Sequence, residues 1–157
     1  MSLLSPNALL TAVKTPCIGV CSTGIGDNVC RGCKRFSAEV IHWNGLAREE
    51  RIAIYERLES LLLPIVENYF VIHDADRLRA QMARHQINDA PYFGNGLRVL
   101  HVLQAGSTQI TDSAEFGLLT IRSDLDLPAI KMQIDEAFYR ISVAHYERYF
   151  LEPLMRP

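Results

Sequence analysis

Apolar residues recur at helical spacing in two long stretches of the chain and gather into short runs between them. From about Ala47 to Leu63, the positions Ile52, Tyr55, Leu58 and Leu62 fall close to the helical period, and Glu49, Glu50 and Arg51 occupy the first turns. The pattern predicts a helix that ends at Pro64, whose ring cannot continue the hydrogen-bond ladder. Near the C-terminus Ile130, Ile134, Phe138 and Ile141, continued by His145 or Tyr149, predict a long final helix. Asp124 to Asp126 open it, with Pro128 in its first turn. Between the two, Tyr69-Phe70-Val71-Ile72 predicts a strand. Asp74 or Asp76 is placed to cap a helix through Leu78, Met82 and His85. Asn88 to Gly96, with Pro91 and Gly94-Asn95-Gly96, predicts a loop. The runs Leu97 to Leu103 and Phe116 to Ile121 predict two further strands, separated by a polar connection over 106–113.

These elements predict an α+β fold. A tail (1–14) precedes an N-terminal helical module stapled by four cysteines (15–63), and a small β-α-β-β-α layer of unassigned role follows (64–157). No internal repeat or low-complexity segment interrupts the pattern. With 48% of its 157 residues hydrophobic, the chain can fill a core, which excludes wholesale disorder. The net charge is −2, which argues against bulk electrostatic binding of nucleic acid. Neither half departs far from neutrality: 1–63 carries seven basic and six acidic groups, 64–157 nine and twelve. The N-terminus lacks a basic stretch, and Pro6 breaks its apolar run, so no secretory signal is read. No apolar run approaches the roughly 20 residues of a membrane span. A cytoplasmic protein with reduced thiols is expected.

All four cysteines stand near the N-terminus, as Cys17-x3-Cys21-x8-Cys30-x2-Cys33. Cysteines used only for packing would be scattered through the core. The cluster fits a tetrathiolate metal site best; a disulfide or plain thiols are the alternatives. The intervening residues 22–29 suit a chain reversal, since Gly24 and Gly26 can adopt positive φ and Asp27-Asn28 favours a turn. Gly32 lets the backbone tighten around the second pair, with neighbouring amides free to point at sulfur. A four-thiolate centre carries a charge of about −2. Arg31, Lys34 and Arg35 surround the second pair and would compensate that charge; the plainer reading is a solvated basic loop. Ser37 is expected to cap a short helix through Glu39, Val40, Ile41 and Trp43, whose N-terminus beside the thiolates would favour their ionised form.

Thr15-Pro16-Cys17-Ile18-Gly19-Val20-Cys21, Val29-Cys30-Arg31-Gly32-Cys33-Lys34-Arg35, Glu39-Val40 with Trp43, Leu46 and Glu50-Arg51 together resemble the YdhL-like family of small bacterial proteins. This is a domain of unknown function (number 1289), commonly labelled as predicted iron–sulfur proteins. The resemblance runs from about Thr15 to Leu58. It implies that Cys17, Cys21, Cys30 and Cys33 are the ligands of a metal or cluster, and that Trp43 packs over the metal knuckle. It implies no reaction. Phe36 departs from the family, which commonly has a small hydroxyl residue there, and the hundred or so residues that follow the motif lie outside the resemblance.

Zinc and an iron–sulfur cluster accept the same four thiolates at similar net charge, so both stay open. The expected function is therefore that of a non-catalytic protein, whose zinc or iron–sulfur centre stabilises a module for contact with a protein partner. The alternative is an iron–sulfur electron-transfer or redox-sensing protein. A substrate-transforming enzyme ranks lower, because no acid/base or nucleophile constellation and no phosphate-binding or dinucleotide loop is visible. His73-Asp74-Ala75-Asp76 reads as a strand-to-helix turn with capping aspartates, and His101 as a strand residue with an ordinary structural role. His42, beside Trp43, could replace a cysteine ligand, but four thiolates already complete a tetrahedral set.

Overall fold

The computed structural model describes residues 13–19 and 21–155. The expected tail lies outside them as far as residue 12. The chain forms two compact units: one runs to Leu58 and includes the stretch from Ser142 onward, and the other is Glu59–Ile141.

The first unit begins with a segment without regular structure, followed by a 3-10 turn at Thr23–Ile25 and a second chain reversal that carries the last two cysteines. Helix α1 (Ser37–His42) and a 3-10 turn (Trp43–Gly45) lead into α2 (Arg48–Val66). Ser37 is not the cap of α1. Its N–H is already used, donating to Asn28 O at 2.8 Å beside an antiparallel bridge between Val29 and Phe36. This bridge keeps the chain extended through Phe36. The Glu39 carboxylate reaches back to accept the Phe36 N–H at 2.8 Å, which satisfies one of the free donors of the helix start. Glu50 does the same for Ala47 N–H at 3.0 Å at the head of α2. Val13, Val29, Phe36, Trp43, Ile54, Tyr55 and Leu58 are buried and form the apolar interior.

Pro64 does not end α2, which runs on to Val66. Its ring lies on the exposed side of the helix, while Leu62 and Val66 on the other side are fully buried. Burial of those two side chains outweighs the lost backbone hydrogen bond.

In the second unit, β1 (Phe70–Ile72) pairs antiparallel with β2 (Leu118–Thr120), in the register Phe70 with Thr120, Val71 with Leu119 and Ile72 with Leu118. Both strands stand where sequence places them. Helix α3 (Ala75–Arg84) follows β1 and is capped by Asp74, whose carboxylate accepts Arg77 N–H at 3.0 Å. The expected strand at 97–103 is instead helix α4 (Asn95–Gly106). Gly96, Leu97, Arg98, Val99, Leu100, Val102 and Leu103 are all buried, so nearly every face of this helix is covered. A short run that is apolar throughout has no period to tell helix from strand. The layer is therefore β-α-α-β-α, mixed helix and sheet, with a sheet of two strands rather than three.

Helix α5 (Leu127–Tyr146) begins as expected, with Pro128 in its first turn and Asp126 accepting Ala129 N–H at 2.9 Å. Ile130, Ile134 and Phe138 are buried, but Ile141 is half-exposed and Ser142 takes the buried position. A π-helical turn (Glu147–Leu151) and a short helix, α6 (Glu152–Met155), complete the described chain. No helix among the described residues is long and apolar enough to cross a membrane.

Candidate metal centre

The chain reversal at Cys30-Arg31-Gly32-Cys33 is closed by its own backbone. Cys30 N–H donates to Arg35 O, and Lys34 N–H donates to Cys30 O, each at 2.8 Å. The turn closes only because Lys34 adopts φ of +66°, a left-handed conformation usually taken by glycine. Lys34 offsets that cost through its side chain. It is fully buried, and its Nζ donates to Arg31 O at 2.6 Å and Gly32 O at 3.1 Å, tying its positive charge to the carbonyls of the turn.

The geometry aims donors at sulfur. Burial raises the Cys30 thiol, but hydrogen bonds from the amides of Cys33, Ser22 and Gly32 and from the Cys33 thiol outweigh it, and the thiol is shifted below its ordinary value. The Cys33 thiol moves the other way. Its burial dominates, although Arg35 donates from Nε to its sulfur at 3.2 Å and opposes the shift. The two neighbouring thiols are thus shifted in opposite directions.

Ser22 ties the first cysteine pair to this turn. It is buried, its amide bonds the Cys30 sulfur, and its Oγ accepts Arg31 N–H at 2.8 Å. Its carbonyl accepts from Ile25 and Asp27, which forms the loop between the two pairs. Gly26 in that loop has φ of +103°, as its position in the reversal requires, whereas Gly24 is not among the positive-φ glycines. Cys21 therefore stands one residue from an anchored point, but its sulfur is exposed and lies 3.1 Å from Thr23 Oγ1. Cys17 is also exposed, and Gly19 N–H approaches its sulfur at 3.4 Å across Gly19 φ of +90°.

All four cysteines are free thiols. Cys30 and Cys33 are buried together, whereas Cys17 and Cys21 are held by local partners. Among the described residues, no group of three or more His, Cys, Asp or Glu side chains is close enough to hold a metal ion. The donor set matches a soft tetrathiolate centre in its chemistry.

The basic residues divide their roles. Arg35 touches sulfur directly. Arg31 pairs with Asp27 at 3.4 Å, and Lys34 serves the carbonyls of the turn. Trp43 meets the turn through Arg35, whose guanidinium carbon lies 5.0 Å from the indole centroid. Arg51 lies 5.2 Å from the same ring and donates to Trp43 O at 2.9 and 3.1 Å. His42 is exposed.

Sequence reasoning missed the network behind the turn. Arg57 forms a two-pronged ion pair with Glu39, one prong at 2.7 Å, and lies 4.0 Å from the Phe36 ring centroid. Tyr146 and Phe150 meet Phe36 edge-on at 5.1 and 5.0 Å. The one sequence cue was the spacing of Tyr146 and Phe150, which places them on one helical face. Phe36, itself buried, is thus the centre of an aromatic contact whose outer ring, Phe150, is exposed.

A family model described as "Protein of unknown function (DUF1289)" matches residues 15–62. No curated protein and no solved structure matches the chain.

Proposed function

We propose that the 15–62 stretch is a metal-binding module, in which Cys17, Cys21, Cys30 and Cys33 together take one centre, Zn(II) or an iron–sulfur cluster. The protein acts without catalysing a reaction, and its centre holds the module in shape for contact with a protein partner. One observation carries this reading: the Cys30–Cys33 turn directs amides and a guanidinium at its two sulfurs. Backbone N–H groups aimed at sulfur stabilise thiolate, which is the form that binds metal. Taking up the centre draws Cys17 and Cys21 from their local partners toward the buried pair, with anchored Ser22 as the pivot.

The same hydrogen bonds favour a second reading, in which the centre is an iron–sulfur cluster that transfers electrons or senses oxidants. Hydrogen bonds to cluster sulfurs set reduction potential.

Anaerobic purification of the full chain, followed by a visible spectrum and analysis of zinc, iron and acid-labile sulfide, tests both. One colourless zinc per chain supports the structural reading. Iron with sulfide, and a reversible one-electron couple by EPR after reduction, supports the redox reading. Cys17→Ser and Cys33→Ser should each lose the centre. Absence of any stoichiometric metal in the wild type, with both variants as stable as the parent, would overturn the proposal.

A further inference from the structure

Arg35 engages both cysteines of the buried turn through different groups. Its carbonyl accepts Cys30 N–H at 2.8 Å, and its Nε donates to Cys33 Sγ at 3.2 Å. It is 3% exposed, so its charge acts where water screens little. Its planar head is kept in place from behind, with the Trp43 ring 5.0 Å from the guanidinium carbon. Trp43 is fixed in turn: Arg51 holds its carbonyl and stands 5.2 Å from its ring, and Tyr55 meets it edge-on at 6.2 Å. Tyr55 and Arg51 are themselves tied to the segment leading into Cys17, through Lys14 O at 2.7 Å and Val13 O at 3.0 Å.

We propose that Arg35 is the positioning residue of the four-cysteine centre: it orients the Cys33 sulfur and neutralises its charge, and Trp43 acts as the clamp that fixes the guanidinium. This inference rests on the metal-binding reading above. A thiolate that must become a ligand gains from a donor already in place, and loss of such an outer partner typically costs about 10–100-fold in metal affinity. Lysine would keep the charge but lack the flat face that rests on indole and the fixed direction of Nε.

Cobalt(II) titration of the full-length protein tests this, because the sulfur-to-cobalt charge-transfer band reports directly on the thiolates. Arg35→Gln should still bind one cobalt, with affinity lower by about 10–100-fold and a shifted band. Arg35→Lys should recover part of the affinity. Trp43→Leu should weaken binding in the same direction, and its effect should not add to that of Arg35→Gln, since both break one contact. Trp43→Leu and Arg35→Lys keep the test open if Arg35→Gln fails to fold. Arg31→Gln supplies the control, because it removes a neighbouring positive charge whose side chain pairs with Asp27. Wild-type affinity and an unshifted band in Arg35→Gln would overturn the positioning role alone. An equal loss with an unshifted band in Arg31→Gln and Arg35→Gln would reduce Arg35 to general charge compensation. A wild-type protein that takes up no cobalt would overturn the metal-binding reading and this inference together.

Discussion

Two histidines show how burial and nearby charge change the behaviour of a residue. His101 stacks on Phe93 at 5.0 Å between centroids, inside a helix that is covered on nearly all sides. Burial pushes its imidazole below the ordinary 6.5, and Asp89 opposes the shift. His145 lies 6.2 Å from the Phe36 ring; burial and then the Arg57 charge push it down, with Glu39 opposing. Both groups bind a proton more weakly folded than unfolded. Stability should therefore rise with pH from the depressed folded values up to about 6.5, and be lost as the solution is acidified through that window. Urea unfolding of the full chain at several pH values between about 5 and 7.5 should show this slope. His101→Leu should flatten it while leaving the contribution of His145.

At the scale of elements, α4 depends on a carboxylate from another helix. Glu59 on α2 accepts Gly96 N–H at 2.8 Å and Leu97 N–H at 2.9 Å, and so caps a helix start whose own preceding residue, Gly94, has no side chain to do so. The fit is close: a Cβ on Gly94 would stand 2.2 Å from the Glu59 side chain. Glu59→Ala leaves two buried donors without their acceptor and should destabilise the protein by about 1–3 kcal/mol in denaturant unfolding. Gly117 is a second fixed point. It precedes β2 at φ of +71°, its carbonyl accepts from both His73 and Asp74, and a Cβ there would lie 2.2 Å from Asp74 O. Gly117→Ala combines an unfavourable backbone conformation with a collision against the main chain. A loss of about 1–3 kcal/mol or more is expected, read as a lowered denaturant midpoint with unchanged m. Neither dependence was legible in sequence. Glu59 is one acidic residue on a helix, and Gly94-Asn95-Gly96 is as good a turn as it is a helix entry, because the deciding partner is 37 residues away.

At the scale of the molecule, the two compact units divide inside α2 and again inside α5. On the metal-binding reading, the centre belongs to the first unit alone. Removal of the metal with a strong chelator should therefore raise amide hydrogen exchange in residues 15–58 while leaving 59–141 near its loaded value. Mass spectrometry of the full chain with and without chelator would measure this. Equal deprotection of both units would show that the centre stabilises the whole chain instead.

Local chemistry was enough to place the reversal at Gly26, a capping aspartate before α3, the two strands, and the opening of α5 with its inward Ile130, Ile134 and Phe138. Each rests on neighbours a few residues apart: a glycine in a reversal, an aspartate before a helix, a period of 3.6. Tertiary structure decided the rest, because the energies involved come from distant groups. It made 95–106 a helix by burying it on nearly all sides, carried α2 past Pro64 by burying Leu62 and Val66, and moved the cap of α1 from Ser37 to Phe36 by pairing Val29 with Phe36. It also set Arg35 apart from Arg31 and Lys34, for a reason no spacing contains: its guanidinium carbon lies 5.0 Å from the Trp43 ring centroid while its Nε reaches the sulfur of Cys33.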